Sequence, residues 1–122
     1  MCVKLISKKR KLGQIGEDKA TKYLRKQGYK ILRRNYRCPY GEIDIIAQDK
    51  DTIVFIEVKT RSNISYISPL LSITLHKQKQ ISKVALYYLI EEKIEHLPCR
   101  FDVISIVGED IEIIKGAFER KI

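Results

Sequence analysis

Residues 41–61 read Gly41-Glu42-Ile43-Asp44-Ile45-Ile46-Ala47-Gln48, then Asp49-Lys50-Asp51, then Thr52-Ile53-Val54-Phe55-Ile56-Glu57-Val58-Lys59-Thr60-Arg61. Two runs rich in β-branched residues flank a short polar turn, the pattern of a β-hairpin. Side chains alternate faces along a strand. Glu42, Asp44 and Ile46 therefore share one face of the first strand, and Phe55, Glu57, Lys59 and Arg61 share one face of the second. A turn centred between Lys50 and Asp51 pairs Asp49 with Thr52. Five residues further out, Asp44 then stands opposite Glu57 with Cβ atoms about 4.5–5.5 Å apart, and Glu42 stands opposite Lys59. Like charges directly opposite destabilise a sheet. Phe55 and Ile46 share the acids' face and imply partial burial, where unpartnered carboxylates are costly. A hard divalent cation resolves the conflict, since Mg²⁺ takes one or two carboxylates together with waters and substrate phosphates. The competing reading is a solvated face on which Glu42 pairs with Lys59 beside two tolerated acids.

Outward from the hairpin, Gly16 to Gln27 reads as a helix: Glu17 and Asp18 fall in its first turn, Arg25 and Lys26 in its last, and Gly28 follows as a stop. Its buried stripe is Ala20, Tyr23 and Leu24. Glu17 lies on the same stripe, and it joins the metal shell if this helix packs on the sheet face bearing Asp44; otherwise it is a first-turn acid suited to the helix dipole. Tyr29 to Tyr36 reads as a strand before the hairpin strands Glu42 to Gln48 and Thr52 to Thr60. A second helix is expected from Thr74 to Glu95 with Ile81, Val84, Ala85 and Tyr88 on its buried face, closed by His96-Leu97-Pro98. Strands at Arg100 to Val107 and Asp110 to Lys115 follow, around a turn at Gly108. The order helix, three strands, helix, two strands implies an α/β fold, a mixed sheet with helices packed on it.

The chain has 122 residues, the size of one domain, and a formal net charge of +9. Such an excess favours a polyanionic partner, nucleic acid or an anionic surface. Residues 1–12 read as a flexible basic tail around Lys8-Lys9-Arg10-Lys11, and residues 13–122 as one domain. No apolar run approaches the roughly 18 residues of a membrane span, and the basic run follows the apolar Val3, Leu5 and Ile6, the reverse of a secretory signal. Cys2, Cys38 and Cys99 are odd in number and include no C-x-x-C pair, which argues against a disulfide framework or structural zinc and for reduced thiols in a cytoplasm.

Asp44 followed after the hairpin by Glu57-Val58-Lys59 resembles the active-site motif of the PD-(D/E)XK, or restriction-endonuclease-like, superfamily. More closely, Gly16-Glu17, Gly28-Tyr29-x-Ile31-Leu32-x-Arg34-Asn35-x-Arg37, Gly41-Glu42-Ile43-Asp44-x-Ile46-Ala47 and Val54 through Arg61 resemble the YraN-like family of small bacterial proteins. The likeness continues through Pro69, Thr74, Lys77-Gln78, Arg100-Phe101-Asp102-Val103 and Ala117-Phe118. Archaeal Holliday-junction resolvases are similar in architecture and in their helix Glu, Asp and E-x-K arrangement.

The resemblance implies a restriction-endonuclease-like fold and metal-dependent hydrolysis of a phosphodiester. Asp44, Glu57 and the Val58 carbonyl would hold Mg²⁺ or Mn²⁺, Glu17 would complete the shell through a water, and Lys59 would orient the attacking water or stabilise developing charge. The expected substrate is DNA ahead of RNA, with branched or damaged structures among the candidates, and no membrane is involved. A homodimer is suggested by analogy alone. Arg33, Arg34, Arg37, Arg61, Lys77 and Lys79 are candidate phosphate contacts, and Tyr36, Tyr40 and Tyr66 candidate stacking residues. His76, His96, Asp49, Asp51 and Asp102 are read as having no functional role. Two other functions compete with the nuclease: a nucleic-acid-binding module that keeps the fold with little or no catalysis, and a protein-interaction role for the apolar loop residues Ile67, Leu70 and Leu71.

Overall fold

A computed structural model describes residues 2–61 and 73–121, with side chains described from residue 13 onward. The elements are α1 (Cys2–Lys26), β1 (Lys30–Cys38), β2 (Gly41–Asp49), β3 (Thr52–Arg61), α2 (Leu75–Glu91), β4 (Cys99–Val107) and β5 (Asp110–Phe118). The five strands form one sheet in chain order. All neighbours are antiparallel except β3 and β4, which run parallel across the α2 crossover. This is the expected α/β, restriction-endonuclease-like arrangement.

Alternation along the strands, broken once in β2 between Ile43 and Ile45, sends two sets of apolar side chains to opposite faces. Ile45, Ala47, Val54, Ile56, Ile104 and Ile106 pack with Ala20 and Leu24 of α1, whereas Ile43, Ile46, Ile53, Phe55 and Phe101 pack with Ile81, Val84, Ala85, Tyr88 and Leu89 of α2. The stripe expected on α2 is the one buried. On α1 the fully buried side chains are Ala20 and Leu24, with Tyr23 half-buried. The helix also begins earlier than the sequence reading, at Cys2 rather than about Gly16. The stretch read as a tail is made of Lys, Leu and Arg with few breakers, residues that continue a helix readily.

Helix ends follow local hydrogen bonding. After α1, Gly28 adopts φ 92°, and its N–H donates to the Arg25 carbonyl while that of Tyr29 donates to the Leu24 carbonyl. That is a Schellman stop, and Leu24 and Tyr29 belong to the same core. Helix α2 stops at Glu91 instead of the expected Glu95 because Lys93 takes the same left-handed role, with φ 58° and Ile94 N–H bonded to the Leu89 carbonyl. Strand β5 runs on to Phe118, beyond the expected Lys115, because Phe118 pairs with Phe101 and stacks on its ring at 4.9 Å.

One buried polar network ties the α1 face together. Asp102, 1% exposed, accepts two hydrogen bonds from Arg100 (2.9 and 3.0 Å) and one from the Gly116 N–H (3.0 Å). Arg100 also donates to Tyr29 Oη (2.8 Å) and to Asp49 (3.3 Å). Its hydrogen bonds to Asp102 raise the guanidinium pKa further, and burial, then the Asp102 charge, pushes the Tyr29 phenol up to about 12. Replacing Asp102 with Asn removes one charge while Asp49 still faces Arg100. The expected cost is about 2 kcal/mol, the scale of a charge-assisted buried hydrogen bond, measured by chemical denaturation.

Candidate functional site

The register derived from the turn is the one found: Asp49 pairs with Thr52, and the ladder runs out through Gln48, Ala47 and Ile46 to Ile45 opposite Ile56. There it stops. Beyond that point Gly41 to Ile43 stay with β1, while Glu57 to Arg61 stay with β4. The sheet forks at the next pair, Asp44 and Glu57. Continued pairing would give the Val58 amide to Ile43; the Asp44 carboxylate takes it instead, with Val58 N–H donating to Asp44 Oδ2 at 2.8 Å. A strand residue's N–H and C=O point to the same edge, so the Val58 carbonyl also faces the fork. The opening leads into a cavity of about 650 Å³ whose lining includes Glu17, Asp44, Glu57, Val58, Thr60 and Arg61.

The two acids are half-buried and feel each other. Burial, then the Asp44 charge, pushes the Glu57 carboxyl up to about 7. Asp44 is also raised, by burial first; the Val58 hydrogen bond opposes the shift and the Glu42 charge adds to it. Lys77, in the first turn of α2, and Lys59 pull both acids back, Lys77 the more strongly. Among the described residues no Lys or Arg forms an ion pair with either acid. Repulsion in a half-buried site is thus left standing, and the pair holds a proton near neutrality that it would surrender to a stronger cation.

Glu17 lines the same cavity as Asp44 and Glu57. Helix α1 covers the face of Ile45 and Ile56, and alternation in β2 breaks at Asp44, since Ile43 and Ile45, two residues apart, pack with α2 and α1 respectively. The Glu17 carboxyl is raised, chiefly by burial and also by the Asp44 charge, with a hydrogen bond from the Asn35 side chain opposing. Gly16 permits this approach: a Cβ there would collide with the Thr60 hydroxyl, so only glycine lets α1 lie so close to β3. Asn35 enters the sequence reading only as part of the family likeness, with no role of its own. It sits in β1 with φ 51°, and a polar residue tolerant of that conformation inside a strand was the available signal.

Other expected residues are placed as follows. Lys59 and Lys77 act on the acid pair. Glu42 does not pair with Lys59, because the strands have parted; it binds Arg37 at 2.9 Å on β1. Arg33 pairs with Glu92 (3.9 Å), and Arg34 with Asp18 (2.7 Å) and Glu17 (3.7 Å), so these arginines are partly neutralised. Lys79 lies away from the acids, in a separate cleft on the other flank of α2. Arg61 lines the acid cavity. Tyr36 is core, edge-on to Tyr88 at 5.1 Å, and does not present a ring for stacking, while Tyr40 is 54% exposed against Tyr87. His76 and His96 are exposed. Tyr66, Ile67, Pro69, Leu70 and Leu71 lie outside the described residues.

Among the described residues no three His, Cys, Asp or Glu side chains are gathered closely enough to cage an ion. The set that converges is two carboxylates and a carbonyl edge, with a third acid behind. Hard oxygen donors, few in number and open to solvent, suit Mg²⁺ or Mn²⁺ keeping waters and a phosphate, and suit neither a closed zinc site nor an all-protein calcium cage. The donor chemistry fits the expected ion.

Residues 16–106 match the uncharacterised protein family UPF0102. The chain is 46% identical to a UPF0102 protein of Desulfosudis oleivorans, over 94% of this chain and 95% of that protein. It is 49% identical to one of Syntrophus aciditrophicus, over 88% and 87%, and 52% identical to one of Geobacter metallireducens, over 88% and 92%. With its forked sheet and its Asp44, Glu57-Val58-Lys59 pattern, the chain belongs to the UPF0102 (YraN-like) family of the PD-(D/E)XK nuclease superfamily.

Proposed function

We propose that this protein is a divalent-metal-dependent nuclease that cleaves phosphodiesters of DNA, branched or damaged forms included. The observation that carries this reading is the fork itself: two mutually repelling, half-buried acids at the one place where the hairpin opens, with no cationic side chain paired to them among the described residues. Asp44 presents one oxygen to the Val58 amide and keeps the other for the ion; Glu57 and the Val58 carbonyl complete the near side, and Glu17 stands behind. A bound Mg²⁺ or Mn²⁺ supplies a Lewis acid for the phosphoryl oxygen and lowers the pKa of a coordinated water. Lys59 stabilises the developing charge. Lys77 offsets the acids' charge from α2 and keeps a phosphate's approach from being repelled. The free Cys38 and Cys99 thiols suit a reducing cytoplasm.

The test is purified protein incubated with labelled duplex, single-stranded and branched DNA, each with Mg²⁺, with Mn²⁺ and with EDTA. Metal-dependent product is expected on at least one substrate; intact DNA in every arm would sink the reading. Lys59→Met should lower kcat about ten- to a hundredfold while Mn²⁺ affinity stays within a few-fold, because Lys59 acts on developing charge rather than on the ion.

A further inference from the structure

The cations expected to grip phosphate on β1 are paired with acids, yet the chain's positive excess has another outlet. On the flank of α2 away from Lys77, a cleft of about 520 Å³ is lined by Lys79, Ser82, Lys83, Leu86, Arg120 and Lys121. Lys79, Ser82, Lys83 and Leu86 recur at i, i+3, i+4 and i+7, one stripe of a helix. Arg120 and Lys121 are brought against it by the chain leaving β5. None of these four cations forms an ion pair among the described residues. The sole acid in residues 79–86 and 118–121 is Glu119.

The cleft is held in shape. The Lys121 N–H donates to Ser82 Oγ at 2.9 Å, and Ser82, fully buried, donates onward to the Gln78 carbonyl at 2.8 Å. Leu86 and the aliphatic stems of the lysines form an apolar floor with the charges at the rim. Backbone held in place beneath the charges loses less on binding an anion than a flexible tail does.

We propose that this cleft is a second docking site for the phosphodiester backbone of the nucleic acid, separate from the metal site; the assignment of the occupant rests on the nuclease reading above. Lys77 lies two positions before Lys79, about 200° around the helix at 3.6 residues per turn. The two sites are therefore on opposite flanks of α2, a body about 10 Å across. A ligand touching both has to be a polyanion longer than a dinucleotide, which matches a polymeric substrate straddling α2.

The test uses a 5′-fluorescein DNA duplex of about 30 base pairs, with EDTA present so that nothing is cleaved, and follows anisotropy over about 50–200 mM salt. Lys83→Gln combined with Arg120→Gln retains the stems and removes two charges. Each backbone contact contributes about 0.9 to the slope of log affinity against log salt. The double variant should flatten the slope by nearly two and weaken binding roughly tenfold or more near 0.1 M salt, with its melting temperature unchanged. Lys22→Gln combined with Lys26→Gln, on α1 and so across the sheet from α2, removes the same charge and should leave the slope nearly as in the wild type.

An unchanged slope in the first variant, equal slopes in the two variants, or no duplex binding by the wild type overturns the proposal. So does a loss confined to anionic phospholipid vesicles, which would assign the cleft to a membrane surface. Cleavage plays no part in the measurement. A flattened slope in a protein that cuts nothing upholds this site while the nuclease reading fails, and normal cleavage with an unchanged slope removes this site alone.

Discussion

Asp44→Asn should lower metal-dependent cleavage by at least about a thousandfold, a loss of roughly 4 kcal/mol of transition-state stabilisation, while the protein stays folded. The two halves of this expectation come from the two oxygens of one side chain. Asp44 Oδ2 accepts the Val58 amide at 2.8 Å, and the asparagine carbonyl can accept the same hydrogen bond, so the end of the hairpin ladder keeps its cap. The other oxygen becomes an amide N–H₂, a donor that cannot ligate a cation. Calorimetric titration should show Mn²⁺ binding weakened in parallel with activity, and the melting temperature without metal should hold or rise. A variant that cleaves at the wild-type rate would remove Asp44 from the site. A variant that unfolds would show instead that the carboxylate's first duty is to close the ladder.

The hairpin and its register were legible because turn composition and a period of two fix them locally: Asp49 against Thr52 requires Asp44 near Glu57. The fork was not legible. Whether a ladder continues depends on whether a side chain outcompetes the neighbouring carbonyl for one amide, and Asp44 wins that competition only in the folded environment. Losing the ladder also removed the expected Glu42–Lys59 pair and sent Glu42 to Arg37. Glu17 had been linked to the site on the condition that α1 covered the Asp44 face. It lines the cavity with Asp44 and Glu57, and a period of two is no guide to the face there, because alternation in β2 breaks between Ile43 and Ile45.

Charge shows a similar split. Composition gave the sign of the surface, but which cations are neutralised is a tertiary matter: Glu92 meets Arg33 from the end of α2, and Asp18 meets Arg34 from α1. Lys77, read as a candidate phosphate contact, is also the strongest cationic influence on the acid pair. The Arg100–Asp102 network assembles groups from α1's exit, β2, β4 and β5, so no local window contains it. An aspartate and an arginine two apart on a largely apolar strand were its only trace. The stop of α2 was missed for a simpler reason, since Lys93 occupies a left-handed position that sequence patterns reserve for glycine.

Glu57→Gln should reverse the order of stability between variant and wild type, depending on whether metal is present. In the fold the Glu57 carboxyl is raised to about 7 from an ordinary value of 4.5, so between these values the native state binds more proton than the unfolded chain. Stability from this group is greatest below pH 4.5, falls as pH rises toward 7, and is lowest above it. A shift of that size corresponds to about 2–3 kcal/mol after allowance for partial exposure. Gln keeps the shape and has no charge to bury. At pH 8 without metal, Glu57→Gln should therefore melt on the order of 5–10 °C above the wild type, and at pH 4.5 the two should coincide. Saturating Mn²⁺ at pH 8 then acts on the wild type alone: at a hundred times Kd it contributes about 2.7 kcal/mol, which brings the wild type level with the variant or past it, whereas the variant barely moves. The same proton opposes the ion, since both compete for one pair of oxygens: with Mn²⁺ below its Kd activity should fall as pH drops through about 7, and saturating Mn²⁺ should move that fall to lower pH. Thermal melts at two pH values, with and without Mn²⁺, read all four states. If Glu57→Gln melts below the wild type without metal at pH 8, the acids are already at ease in the fold, and nothing in the fork calls for a cation.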